Sequence, residues 1–324
     1  MKRLPILVLL SVILLAACQS AAPSTPSAPR EITLNLTYIP NIQFAPIYVA
    51  IDQGYFAEEG LDVKLAYGNE ADYIALIGSN SQQFMIGSAE QVLLARGQGL
   101  PVVTVMDWYK DYPVGIVSLA SANIKTPQDL VGKTIGLPGL YGASYIGFEA
   151  LIHQYNFSDA DFQLRSIGFT QVESLVSGQL DAAVIYLANE PVQLRQLGYE
   201  VNVMRVADSV ALVGNGLITN EKTVADDPQL VSGMARALWR GIAETEEDPE
   251  KAFQISTQYV DNLGSDRSGV QEQVLAESIK LWCTSPQESE SASKWQNMAS
   301  VLLQMGLLKE PVDLTKAFNY GFNQ

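Results

Sequence analysis

The chain has 324 residues, of which 48% are hydrophobic and 17% charged, and a formal net charge of −15. That length and apolar content suffice for two lobes with cores of their own and exclude an extended disordered chain. The acidity excludes an electrostatic grip on nucleic acid or on an anionic membrane surface, so no nucleic-acid partner is expected.

The first residues read as a targeting segment. Lys2-Arg3 is a short basic region, Leu4 to Leu15 is apolar, and Leu15-Ala16-Ala17-Cys18 reads as a lipobox. The apolar run is too short for a permanent membrane span but suits a signal peptide. We expect a signal peptide over residues 1–17, cleavage before Cys18, and lipid attached to Cys18. Residues 18–30 are then a flexible tether of mainly Ala, Ser, Pro and Thr. The expected location is the extracytoplasmic face of the cell membrane. Only Cys283 is left once Cys18 carries lipid, so no intrachain disulfide is available.

The folded part opens on an alternating strand, Ile32 to Leu36, broken by Pro40-Asn41. Ala45, Tyr48, Val49 and Phe56 then recur at helical spacing, interrupted by Gly54, and a second strand begins after Gly60. The polar turn therefore sits at the carboxyl end of a strand, where ligands bind in open α/β sheets. A helix is predicted over Asn69–Ser79, then a strand over Gln82–Ile86 that leads to Gly87-Ser88. Ser88 is placed to cap the next helix, and Pro101 opens a strand through Met106. Strands alternating with helices imply parallel pairing. Trp108 and Tyr109 follow just past that strand's end, as core or as ligand contacts.

The stretch from Thr37 to Val63 carries a family resemblance. Its pattern PN-x-x-x-APIYVA-x-x-x-GYF-x-x-EGLDV closely resembles the start of solute-binding proteins of bacterial ABC importers. It is most similar to the branch that carries thiamine pyrimidine precursors and riboflavin, with sulfonate and nitrate carriers as cousins. The resemblance implies a two-lobed α/β periplasmic binding fold (type II), with parallel-rich sheets and a ligand cleft between the lobes. Lobe one is expected over residues 31–113, lobe two over 114–213, and the return to lobe one with C-terminal helices over 214–324. It also implies an ABC permease as partner and a monomeric protein.

Val114 to Leu119 reads as the first crossing into lobe two. Gly132-Lys133-Thr134 is no phosphate loop, since Pro127 stands where the upstream glycine belongs; it resembles the family turn that opens the second lobe. Tyr141-Gly142-Ala143-Ser144 starts an amphipathic helix and offers bare backbone N–H groups to a ligand. A strand is expected over Phe162–Ile167 and a helix over Gln171–Ser177. Asp181-Ala182-Ala183 resembles the family's strand that ends on an aromatic, here Tyr186. The pyrimidine-precursor branch has a Tyr-Glu pair next, with the glutamate on the heterocycle; Glu190 matches the acid, and Asn189 stands in the tyrosine's place. Val201–Val206 and Val210–Leu212 read as short strands, and Gly214–Thr219 resembles the return crossing. The remainder is helical, with Trp239, Trp282 and Trp295 as packing residues.

Catalytic chemistry is sparse. The one histidine, His153, lies mid-helix among apolar neighbours, and no Cys/His spacing suits a metal. The superfamily's pyrimidine-synthesising enzymes carry a cysteine-rich run that this chain lacks, so no enzyme and no cofactor are expected. The candidate ligand residues are Tyr38, Asn41, Gln43, Ser88, Trp108, Tyr109, Tyr141, Gly142, Ala143, Ser144, Tyr186, Asn189 and Glu190. Aromatic faces suit a flat heterocycle, amides and a carboxylate suit its polar edge, and no arginine sits in these turns for an anion. The expected solute is a heteroaromatic vitamin, riboflavin first and a pyrimidine precursor second.

Overall fold

The computed structural model describes residues 28–265, 268–288 and 292–322. The expected signal peptide and Cys18 lie outside the described residues. The chain order is β1 (Arg30–Leu36), α1 (Ala45–Asp52), α2 (Tyr55–Glu58), β2 (Leu61–Tyr67), α3 (Glu70–Gly78), β3 (Phe84–Ser88), α4 (Ala89–Gly97) and β4 (Val102–Asp107). After a crossing come β5 (Val114–Leu119), β6 (Thr134–Leu137), α5 (Gly142–Gln154), β7 (Gln163–Ser166), α6 (Gln171–Val176), β8 (Ala182–Tyr186), α7 (Glu190–Gln196) and β9 (Val201–Arg205). A second crossing leads to β10 (Asn215–Asn220), α8 (Glu221–Asp226), α9 (Pro228–Glu247), α10 (Pro249–Ser256), α11 (Val270–Leu281) and α12 (Ala292–Gln304).

The strands form two five-stranded sheets, in the orders β2-β1-β3-β10-β4 and β7-β6-β8-β5-β9. Neither sheet is wholly parallel. In the first, β10 runs antiparallel to both neighbours; in the second, β5 does. Each antiparallel strand is the one that follows a crossing. Gly216 pairs with Asp107 at the exit of β4, and Gly115 pairs with Arg205 at the exit of β9. The two crossings therefore run side by side, the geometry of a hinge between lobes. At Gly216 a Cβ would stand 2.3 Å from the Met106 carbonyl oxygen, so only glycine lets β10 enter there.

Most expected elements are present to within a few residues at their ends. The expected strand at Val210–Leu212 is not. The second crossing turns through a 3-10 segment, Val206–Asp208, and Leu212 and Val213 are buried without joining a sheet. Apolar residues there fill space between the lobes, and the backbone is occupied in changing direction.

Each lobe takes its core from both faces of its sheet. One apolar cluster is continuous across the lobes, joining Met85, Val92 and Leu93 to Tyr112, Phe148 and Val184. Trp239, Trp282 and Trp295 are buried, as packing residues should be. The long helix α9 packs against α1, and Gly241 lies at that contact. A Cβ at Gly241 would meet the Pro46 carbonyl oxygen at 2.1 Å. Gly241→Ala is therefore expected to cost about 1–3 kcal/mol by forcing the helices apart, seen as a lower urea midpoint. An unchanged midpoint would mean that this contact yields freely.

Candidate ligand-binding cleft

Sheet register places the carboxyl ends of three strands of the first lobe at one level. Leu36 of β1 pairs with Tyr67 of β2 and with Ile86 of β3. Tyr38, Glu70 and Ser88 lie two or three residues beyond that level, and Asn215 enters beside Ser88 on β10. In the second lobe Leu137 of β6 pairs with Ser166 of β7, while Gly136 pairs with Ala183 of β8. Tyr141 and Phe169 follow the ends of β6 and β7, and Tyr186 is the last residue of β8.

The two sets of turns meet. The Tyr38 and Phe169 rings stand edge to face, with centroids 5.0 Å apart. Tyr186 Oη donates to Asn215 Oδ1 at 3.4 Å, linking β8 to the start of β10. Glu190 lies close enough to Tyr38 for its charge to matter. Burial first, and that charge second, push the Tyr38 phenol up to about 12. Ile39, Leu140, Tyr141 and Phe169 leave large apolar groups exposed on both sides of this junction. Two lobes thus present aromatic rims to each other, with polar groups at the base.

The first turn is braced locally. Asn41 Oδ1 accepts the Gln43 N–H at 2.9 Å and so caps the 3-10 turn Ile42–Phe44. Tyr48 of α1 donates to the Asn41 carbonyl at 3.2 Å and stacks on Tyr259 at 4.5 Å. Gln43 is nearly buried beneath this turn. In the second lobe Gly142 has φ +70°, a left-handed conformation that favours glycine and starts α5 sharply. Ala143 and Ser144 are buried there, and the Ala143 carbonyl accepts the Tyr112 hydroxyl at 2.7 Å. Tyr141 itself is 71% exposed.

Glu190 is buried at the start of α7. Its Oε2 accepts the Tyr186 N–H at 3.0 Å, and its Oε1 accepts from Asn189 Nδ2 at 3.3 Å. Gln193 in turn donates to Asn189 Oδ1 at 2.9 Å. Burial outweighs these donors and pushes the Glu190 carboxyl up to about 7. The group can therefore accept or donate at neutral pH.

The aromatics after β4 are placed differently. Trp108 is 2% exposed and packs edge to face on Trp282, at 5.9 Å, within the first lobe's core. Its carbonyl accepts the Cys283 N–H at 2.9 Å. Tyr109 is buried beside the same tryptophan, and its phenol lies within electrostatic reach of Tyr186. Among the candidates, then, Tyr38, Ser88, Tyr186 and Glu190 converge, while Trp108 faces inward. Phe169 and Glu70 fall outside the sequence reading. Each stands three residues past a strand end, much as Tyr141 stands four past the end of β6.

Among the described residues, no group of three His, Cys, Asp or Glu side chains could hold a metal ion. Nor is any helix long and apolar enough to cross a membrane.

A family model described as NMT1/THI5 like matches residues 41–252. The riboflavin-binding protein RibY of Chloroflexus aurantiacus is 36% identical, over 99% of this chain and 98% of its own. The chain belongs to the NMT1/THI5-like family. A second member, the formylaminopyrimidine-binding protein of Halalkalibacterium halodurans, is 28% identical over 96% of both chains. More distant members are named as 4-amino-5-hydroxymethyl-2-methylpyrimidine phosphate synthases, at 27% identity over 72% of this chain in Legionella pneumophila. The fold matches that of the periplasmic aliphatic sulphonate binding protein SsuA of Escherichia coli, with a TM-score of 0.72 at 13% identity. That match covers 89% of this chain and 91% of the other. The two-lobed α/β architecture expected from the opening motif is therefore the fold of this chain.

Proposed function

We propose that this protein is the solute-binding component of an ABC importer and captures riboflavin between its lobes. The observation that carries the reading is similarity over almost the whole chain to a riboflavin-binding protein. The chemistry of the facing turns supports it. Tyr38, Phe169 and Tyr186 offer faces for a flat ring, and Glu190 offers a polar edge. The turns 37–44, 138–144 and 186–190 contain no Lys or Arg to hold an anion. A second reading, a thiamine pyrimidine precursor, is favoured by Glu190 in the matching place and by the formylaminopyrimidine-binding relative.

In this reading the protein is not an enzyme. Residues 31–113 with 214–324 form one lobe and residues 114–213 the other, and the side-by-side crossings act as the hinge. Closure sequesters the solute, and a membrane permease reads the closed form. Cys18 carries the lipid that holds the monomeric protein to the extracytoplasmic face.

Titration of the purified mature protein with riboflavin tests the ligand. Quenching of flavin emission with a one-to-one endpoint is the expected result. Unchanged emission across the titration would remove riboflavin and put pyrimidine precursors first.

A further inference from the structure

Several unusual features converge at the end of β3. The Ser88 N–H and Oγ both donate to Glu70 Oε1, at 2.5 and 2.6 Å. Among the described residues, Glu70 Oε2 has no hydrogen-bond partner. Next to them Glu90 is 0% exposed, and neither of its carboxyl oxygens has a partner. Bracing of a turn accounts for Glu70 Oε1. It leaves both buried Glu90 oxygens without a partner, where that is costly, and Glu70 Oε2 free in a half-buried position.

The protonation of the pair follows from the donors. A buried carboxylate with no donor is disfavoured against the neutral acid, so Glu90 keeps its proton. Burial, then the charge of Glu70, pushes it up to about 8. Burial raises Glu70 too, but two donors from Ser88 favour its ionised form. The pair therefore shares one proton at neutral pH. The groups facing it are Tyr112 from the first crossing and Tyr186 from β8, whose phenols feel both carboxyls; Tyr109 stands beyond Tyr186. Tyr186 also touches Asn215, the register partner of Ser88, so the cluster lies at the base of the cleft. Glu70 is only half-buried.

We propose that Glu70 is a specificity-determining residue whose free carboxylate oxygen takes a ring N–H of the ligand, with protonated Glu90 holding the site to one negative charge. The inference rests on the riboflavin reading, and it names the edge recognised. The flavin ring carries a single imide N–H between two carbonyls, a donor that an unpartnered carboxylate oxygen accepts directly.

Fluorescence titration with riboflavin and with 3-methylriboflavin, which lacks that N–H, tests the assignment. The parent protein is expected to prefer riboflavin by about tenfold or more. Glu70→Ala binds both alike, and Glu70→Gln, which keeps an acceptor oxygen, recovers part of the preference. A merely structural Glu70 would weaken both ligands equally and leave their ratio unchanged. Between about pH 7 and about pH 9 the second charge arrives at Glu90, so riboflavin affinity falls, and Glu90→Gln flattens that fall. Glu190, which titrates in a neighbouring range, is untouched in that comparison. Equal affinity of the parent for both ligands, or a ratio that survives Glu70→Ala, overturns the assignment and leaves the riboflavin reading standing. A flat pH profile overturns the shared proton. A parent that binds neither flavin overturns the assignment and the riboflavin reading together.

Discussion

Phe169→Ala is expected to weaken riboflavin binding by about ten- to a hundredfold with little change in stability. The ring is 62% exposed and touches Tyr38 across the lobes. Its removal therefore leaves no core cavity, and exposed substitutions of this kind stay within about 0.5 kcal/mol. Binding loses more. An aromatic contact contributes about 0.5–1.5 kcal/mol beyond area burial, and covering a flat ring contributes about 25 cal/mol per Å² besides. Closure also suffers, because the Tyr38–Phe169 contact forms only when the rims meet. Flavin titration and thermal melting of the same variant separate the two effects. Parent-like affinity would place the ligand away from this junction. A large loss of melting temperature would make Phe169 a packing residue.

Thermal stability is expected to fall as pH rises from about 5 to about 9. Burial is the leading cause of raised carboxyl pKa values at Asp107, to about 6, Glu190, to about 7, and Glu90, to about 8. In the unfolded chain these groups titrate near 4. Between those limits the folded protein holds protons that the unfolded chain has released. The sign follows: stability is fully present below the unfolded values and is lost as each folded value is passed. Each unit of displacement corresponds to about 1.4 kcal/mol. Glu90→Gln removes the largest of these costs, because its amide needs no proton to stay neutral. The variant is expected to be more stable than the parent by on the order of 2–4 kcal/mol at about pH 9 and nearly equal to it at about pH 5. Melting curves at the two pH values check this. A gain that is the same at both would trace to packing, and no gain at about pH 9 would contradict a neutral Glu90.

The opening unit was legible because its signals are local. Alternation in Ile32–Leu36, the break at Pro40-Asn41 and the glycine at 54, with φ +75°, each act within a few residues. The family pattern lies on the same stretch. Trp108 was less legible, because its place is decided by Trp282, far along the chain. An aromatic just past a strand end looks alike whether it turns to the cleft or to a later helix. The strand expected at Val210–Leu212 illustrates the same limit: its hydrophobicity reports burial, and burial without sheet pairing is available in a crossing between lobes. Glu70 and Ser88 form a pair only through the register of β1, β2 and β3, which no local pattern encodes. Phe169 was within reach, since it follows β7 as Tyr141 follows β6.

The most direct test is a crystal structure of the mature protein grown with riboflavin. The ring system is expected between the rims, against Tyr38, Phe169 and Tyr186, with its polar edge toward Glu70 and Ser88. A flavin bound outside the turns 37–44, 68–70, 87–90, 138–144, 167–170 and 186–190 would contradict the account of a cleft that closes on a flat heterocycle.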